Sequence, residues 1–378
     1  MSWKEMDTMN LRKEFVLLAQ QEGSNKRQLC RRYGISSRTG YKWIKRYQEQ
    51  GEAGLQNESK RPRSSPRKTS EKVERAILKK REETGWGGRK IAKVLEKEAG
   101  IESVPHPNTI TDILRRNGQI TSEESREHKA WQRFERERPN ELVQIDFKGH
   151  FAMLKGRCHP LTVLDDHSRF CLGIFACGDE TIQTTQEHLT HIFRLYGLPL
   201  AILADNGGPW GSGYPQLELT ALSVWFILLG IQLKHGRPYH PQTQGKDERF
   251  HRTLKAEVLQ GPAFINLADC QFRFDLFRER YNCQRPHEAL AMDTPAQHYQ
   301  PSPISFPEVI PPVEYDSGQL VRKVQEGGII YFKNRELRVG KALRGYPVCL
   351  RPATHDGQYD VFFCTTLIRH IDFTLPQP

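Results

Sequence analysis

The chain has 378 residues, 37% of them hydrophobic and 27% charged, which is enough for two to four soluble domains. No leader-like segment and no apolar run of bilayer length is seen, and the eight cysteines (30, 158, 171, 177, 270, 283, 349 and 364) lack the close spacing of a zinc knuckle, so a helical membrane protein and a zinc-finger protein are excluded and buried thiols in a reducing compartment are expected. The net charge of +11 is unevenly spread: residues 1–70 hold 16 Lys and Arg against 7 Asp and Glu, the balance of a nucleic-acid-binding region, with a solvated basic surface as the plain alternative.

Residues 1–58 are predicted to form a helix-turn-helix domain. Leu11, Phe15, Leu18 and Ala19 recur at helical spacing, and a second helix covers Lys26–Tyr33. Gly34 can take the positive φ of the tight turn before a third helix over Ser37–Gln48, capped by Ser36 or Ser37. Arg38, Tyr41, Lys42, Lys45 and Arg46 then suit a recognition helix in a major groove, while Trp43, Ile44 and Tyr47 face the core. Residues 59–70 read as a basic linker in which Lys60, Arg61 and Arg63 are candidate phosphate contacts, or as a solubilising tether. A second helix-turn-helix or winged-helix-like unit is expected over 71–121, from the stripe Val73, Ile77 and Leu78, the helix opened by Gly85-Trp-Gly-Gly-Arg-Lys-Ile91, and the start signal Pro107-Asn108-Thr109. Arg89, Arg115 and Arg116 are its candidate DNA contacts, and residues 122–139 read as a charged helical connector.

Residues 140–300 alternate strands and helices. Strands are expected at 141–147, 151–154, 160–165, 170–176, 200–205 and 231–235, and helices at 181–196, 216–229, 244–259 and 264–282. Hairpin strands followed by helix–strand alternation point to a mixed sheet with helices on its faces. Three acids stand out. Asp146 ends one apolar run, Asp205 ends another before Asn206-Gly207-Gly208, and Glu248 opens a helical pattern after Pro238-Tyr-His-Pro-Gln-Thr-Gln-Gly-Lys-Asp247. Carboxylates at two strand ends and one helix start can converge, and converging carboxylates bind hard divalent cations such as Mg²⁺. Two such ions, about 4 Å apart, clamp a phosphodiester for in-line attack. Positions 248, 252 and 255 share a helix face, so Arg252 and Lys255 can meet a DNA backbone beside Glu248, while Phe250, Leu254 and Val258 pack on the sheet. Asp247 lies about 100° round the helix from Glu248, so only one of the two can face the metals. Asp165 and Asp166 read as turn formers before His167-Ser168-Arg169, with an auxiliary role in the site as the alternative.

These residues also carry a likeness. Asp146, Asp205-Asn206-Gly207 and Tyr239 to Arg249, with the supporting words Pro139 to Asp146, Leu164 to Arg169, Arg285 to Leu290 and Thr294-Pro-Ala296, resemble the core of DDE transposases and retroviral integrases. Bacterial insertion sequence family 481 is the nearest resemblance, over roughly residues 10–300. It implies a ribonuclease H-like fold, catalytic and metal-binding roles for Asp146, Asp205 and Glu248, and two Mg²⁺ ions for which Mn²⁺ could substitute. It also implies a flexible loop over 239–245 that brings Gln244 and Lys246 near DNA. One ion would activate a water that attacks the phosphodiester at an element end, and the other would stabilise the leaving 3′ oxygen. The freed 3′-OH would then attack target DNA. The implied partners are terminal inverted repeats, target DNA and further copies of the chain, at least a dimer on DNA, in the bacterial cytoplasm at the nucleoid. The chain departs from the family in the stretch 206–247, which is longer than usual, and residues 209–215 are the expected insertion.

Residues 301–318 read as a Pro-rich linker able to set the following domain away from the core. Residues 319–378 hold six short β-like runs separated by turns, predicting a small β-barrel, and their 9 Lys and Arg against 5 Asp and Glu suit DNA contact only weakly. Two other functions fit parts of the chain: a sequence-specific DNA-binding regulator derived from a transposase, and a ribonuclease H-like nuclease without strand transfer. The presence of all three acids argues against the first, and the two N-terminal reading units against the second.

Overall fold

The computed structural model describes residues 8–57, 68–101, 103–120, 136–211, 219–235 and 245–374, and the chain divides into two compact units, 1–68 and 69–378. Lys60, Arg61, Arg63, Gln244 and the connector up to residue 135 lie outside the described residues. No helix is long and apolar enough to cross a membrane among the described residues.

In the first unit, α1 (Thr8–Gln20), α2 (Lys26–Arg32) and α3 (Ser37–Gln50) enclose Phe15, Val16, Ala19, Cys30 and Ile44, with Leu55 added by a following 3₁₀ turn. Gly34 takes φ 64° between α2 and α3, and Ser36 caps α3 by accepting the Thr39 amide at 3.2 Å. The helices pack so closely that a Cβ at Gly40 would overlap Cys30 Sγ.

The second unit opens with α4 (Glu71–Thr84), α5 (Gly88–Leu95) and α6 (Pro107–Arg116) around Ile77, Trp86, Ile91, Leu95, Ile110 and Leu114. No strand accompanies them among the described residues, so they form a helical triad without a wing. A mixed sheet follows: β1 (Val143–Phe147), β3 (Arg157–Asp165), β4 (Cys171–Cys177), β5 (Ala201–Ala204) and β6 (Gln232–His235) run in the order β4-β3-β1-β5-β6, with the short β2 (Phe151–Ala152) on the start of β3. β3 pairs antiparallel with β1 and β4, whereas β5 pairs parallel with β1 and β6. Alternation along the strands gives the sheet two apolar faces. Val143, Ile145, Leu161 and Val163 meet α7 (Ile182–Tyr196) and α8 (Ala221–Leu228) on one side. Cys158, Leu164, Cys171 and Ile174 meet α9 (Gly245–Leu254), its π-helical continuation Lys255–Leu259, and α10 (Leu267–Cys283) on the other. This is the layered, ribonuclease H-like arrangement expected. The cysteines are all free, and six of the eight are buried.

Two expectations are corrected. The Pro-rich segment is laid along the core instead of running free. Ser302 donates its amide to the Tyr196 carbonyl and Leu198 donates to the Ile304 carbonyl, both at 2.7 Å, while Phe306 and Ile310 join the apolar face of α7 and α8. Gly197 makes this approach possible, because a Cβ there would lie 2.6 Å from the Ser302 carbonyl oxygen. The barrel is also not closed: β7 (Leu320–Lys323), β10 (Pro347–Pro352), β11 (Gln358–Phe363) and β12 (Thr366–Asp372) make an open sheet in the order β12-β11-β10-β7, and β8 (Ile329–Phe332) with β9 (Arg335–Arg338) makes a separate hairpin. Val224 and Ile227 of α8 enter the same apolar cluster as Val348, Val361 and Phe363, so a helix covers surface that a closing strand would otherwise bury.

Candidate active site

Strand pairing brings two of the three acids together. Val143 and Gln144 on β1 lie opposite Ile202 and Leu203 on the parallel β5, and two residues further along each strand come Asp146 and Asp205. Both side chains are half-buried. Burial, and then the Asp205 charge, push the Asp146 carboxyl up to about 7, and burial also raises Asp205, against the Gly207 amide that donates to Asp205 Oδ1 at 3.0 Å. A pair of carboxylates that resist ionising side by side is a site asking for a cation, and its all-oxygen donors suit a hard divalent ion. Glu180, just before α7, adds a third negative charge acting on both acids, and its Oε1 accepts from His159 Nδ1 at 2.8 Å.

Behind the pair, α9 crosses β1. His251 places Nε2 2.8 Å from Thr162 Oγ1 and Nδ1 3.8 Å from Asp146 Oδ2. Burial, with Lys148 nearby, lowers the imidazole to about 4, so His251 is neutral and acts as a hydrogen-bonding wedge. Burial and the Lys255 charge likewise lower Lys148, with the Asp146 charge opposing them. Trp210 stacks on Phe147 with ring centroids 5.9 Å apart and is 2% exposed. The expected turn-rich insertion, 209–215, thus opens with a core anchor at Trp210, and residues 212–215 of it lie outside the described residues.

Glu248 stands in the first turn of α9, exposed, as are Arg252 and Lys255 on its face. The acid turned inward is its neighbour Asp247. Among the described residues, no three His, Cys, Asp or Glu side chains are set closely enough to hold a metal ion. Lys246, expected near DNA, is instead bound inside: its Nζ lies 2.6 Å from Asp166 Oδ2 and donates to the Asp166 carbonyl at 2.9 Å. Asp166 also accepts from the Arg136 amide and from Gln144 Nε2, and Asp165 accepts from Ser168 and from the Asn140 amide, so both acids organise the turn.

The candidate DNA contacts divide. Arg38, Tyr41, Lys42 and Lys45 are exposed on α3, with Lys45 3.8 Å from Glu49. Arg46 is turned back, donating to the Gln56 carbonyl at 3.0 Å with its guanidinium 5.0 Å from the Trp43 ring. In the second helical unit Arg89 pairs with Glu288 at 3.7 Å, Arg115 with Asp112 and Arg116 with Glu74, both at 2.7 Å. Sequence reasoning missed the His251–Thr162 and Lys246–Asp166 contacts, which join residues 89 and 80 positions apart and leave no local sequence signal.

Residues 136–241 and 229–295 match two integrase core domain families, and residues 319–377 match the IS481 family transposase, C-terminal domain. A helix-turn-helix domain matches residues 11–63 and a homeodomain-like domain matches 39–114. The uncharacterized 31.7 kDa protein of insertion element IS407 from Burkholderia multivorans is 28% identical over 159 residues, 42% of this chain and 55% of that protein. The Gag-Pro-Pol polyprotein of Mason-Pfizer monkey virus is 34% identical over 122 residues, 32% of this chain and 6% of the polyprotein. The chain thus spans about half the length of the first relative (55%) and a small part of the second (6%). Among solved structures, the simian T-cell lymphotropic virus intasome in complex with a PP2A regulatory subunit is 16% identical, with 79% of this chain and 96% of that chain covered and a TM-score of 0.38. The HTLV-2 integrase catalytic core domain in complex with magnesium is 16% identical, with 43% and 97% covered and a TM-score of 0.32.

Proposed function

We propose that this chain, which carries an integrase core and the C-terminal domain of IS481 family transposases, is a DNA transposase. It binds the terminal inverted repeats of an insertion sequence through its two N-terminal helical units, cuts at the element ends, and joins the freed 3′-OH ends to target DNA. The observation that carries this reading is the half-buried Asp146–Asp205 pair at the ends of adjacent parallel strands, where the Asp205 charge opposes ionisation of Asp146. Asp146 and Asp205, with Glu248 from the first turn of α9, would hold Mg²⁺. When bound, the metal supplies acidity to a water and charge to a leaving oxygen.

The residues of the chain account for the rest. Lys148 and Lys255, with Arg252, hold the DNA backbone at the acids, and neutral His251 fixes the end of β1 through Thr162. In the first reaction the bond between phosphorus and the 3′ oxygen breaks as a water oxygen bonds to phosphorus. In the second, the new 3′-OH bonds to a target phosphorus and a target 3′ oxygen leaves. One phosphodiester replaces another, so joining needs no external energy source. The test is a labelled DNA carrying an element end, incubated with full-length protein and Mg²⁺. A nick that exposes a 3′-OH and a slower joined product are expected. Full activity in Asp205→Asn would sink the assignment.

A further inference from the structure

Asp247 is left over by a site built from Asp146, Asp205 and Glu248. It is 2% exposed, and neither carboxylate oxygen has a hydrogen-bond partner among the described residues. The roll of α9 that turns Asp247 in and Glu248 out is pinned on both sides of the residue. On one side Lys246 is held by Asp166 at 2.6 Å. On the other, one turn on, His251 is held by Thr162 at 2.8 Å and reaches to 3.8 Å from Asp146 Oδ2. Thr162 is the cross-strand partner of Asp146. Residues four apart share a helix face, so Asp247 looks at the same strands as His251, and Asp146 is the first of the charges acting on it. A buried carboxylate without a hydrogen-bond donor is costly, and an apolar side chain would fill the same space without that cost.

We propose that Asp247 is a further ligand of the divalent cation held at Asp146, against the expectation from their 100° separation that only one of the adjacent acids could face the metal: Asp247 would reach the ion from the sheet side and Glu248 from the solvent side. The proposal rests on the reading of Asp146 and Asp205 as the metal-holding pair. A cation there gives the Asp247 oxygens the partner that the described residues do not.

The test is Mn²⁺ binding to the full-length protein without DNA, followed by the EPR signal of free Mn²⁺, together with thermal melts with and without Mg²⁺. Asp247→Asn keeps the shape and removes the charge. It is expected to weaken Mn²⁺ binding by about tenfold and to shrink the metal-induced rise in Tm, while the metal-free melt is unchanged or higher. If Asp247→Asn weakens binding by less than about fivefold while Asp146→Asn removes it, Asp247 is a protonated structural acid; the proposal falls and the acid-pair reading stands. If Asp146→Asn also leaves binding intact, the acid-pair reading falls and the proposal falls with it. Asp247→Ser, smaller and neutral, decides in the same way should Asp247→Asn show no cooperative metal-free melt.

Discussion

The indole N–H of Trp86 donates to Glu257 Oε1 at 3.3 Å, tying the second helical unit to the π turn that continues α9. Glu257 also pairs with Arg285, and both side chains are nearly buried. A π turn in a helix is uncommon and is often kept at functional sites; here it coincides with the contact between the unit read as DNA-binding and the helix that carries Glu248. Trp86→Phe removes one hydrogen bond and is expected to cost about 1 kcal/mol of stability. Glu257→Gln leaves Arg285 without its countercharge and should cost about 3 kcal/mol. In both variants, end binding measured by gel shift should hold while the cleavage rate of the bound complex falls. Equal cleavage by bound complexes of parent and Trp86→Phe would show that the contact is structural only.

Asp146 and Asp205 support a prediction with two independent readouts. Asn at either position should stop cleavage and joining with end binding retained. It should also stabilise the metal-free protein above pH 7. Asp146 is raised from 3.8 to about 7 in the fold, so the folded state holds a proton that the unfolded chain has released across that window. Stability is therefore lost as pH rises from 4 to 7, and the full penalty remains above it. Asp146→Asn removes the penalty, a gain on the order of 1–3 kcal/mol at pH 8 in a chelating buffer. A lower Tm than the parent under those conditions would contradict the electrostatic account of the pair.

His287, in the Arg285-Pro-His-Glu stretch after α10, titrates with the opposite sign. Burial first, then Arg285, Lys90 and Arg169, lower it from 6.5 to about 3, against a backbone hydrogen bond at Tyr281. The fold keeps the ring neutral while the unfolded chain takes up a proton below 6.5. Stability is thus complete above that pH and falls as pH drops toward 3, at up to about 1.4 kcal/mol per unit. Urea melts of the parent and His287→Asn at pH 7.5 and 5 should show the parent losing more. Equal losses would place the acid sensitivity elsewhere.

The strands and helices of the core were legible because each strand buries alternate residues and each helix a stripe, and those periods survive in a single sequence. Val143 and Ile145 on one face, and Phe250 and Leu254 on another, are such signals. The parting of Asp247 from Glu248 was legible too, but not which of them turns inward. That choice is made by Asp166, 80 residues from Lys246, and by Thr162, 89 residues from His251, and no local pattern reports contacts at that distance. The prolines of 301–318 read as a tether because their backbone forms no regular element. Their docking depends on Phe306 and Ile310 finding α7 and α8, and on Gly197 admitting Ser302. Six short runs likewise suggested a closed barrel, yet the covering surface comes from α8, far away in sequence.

On α3 the structure separates residues that the sequence grouped. Arg38 and Lys42 face solvent, Lys42 with its ammonium 5.3 Å from the Trp43 ring, whereas Arg46, beside the same ring, is turned back to donate to the Gln56 carbonyl. Arg38→Ala with Lys42→Ala should therefore weaken end binding and lower the slope of log affinity against log salt by about 0.9 for each phosphate no longer neutralised. Arg46→Ala should leave that slope unchanged and lower the melting temperature of the N-terminal unit. A salt slope that falls in Arg46→Ala as much as in the double variant would put Arg46 back on the DNA.

The last prediction concerns assembly. Two element ends must reach one target together, and one acid pair cannot serve both at once, so at least a dimer related by two-fold symmetry is expected on DNA. Residues 1–68 form a compact unit of their own, so α3 and the acids belong to separately folded parts of the chain. The C-terminal sheet is docked on α8 and stays with its own core. One subunit would then read an end that its partner cuts. The measurement mixes two proteins that are inactive alone, Glu248→Gln and the Arg38→Ala, Lys42→Ala double variant, on DNA carrying two ends. In trans, the Glu248→Gln copy reads and the double variant cuts, so cleavage returns in the mixture. If each subunit cuts only the end it reads, every pairing stays dead, and the trans arrangement is wrong.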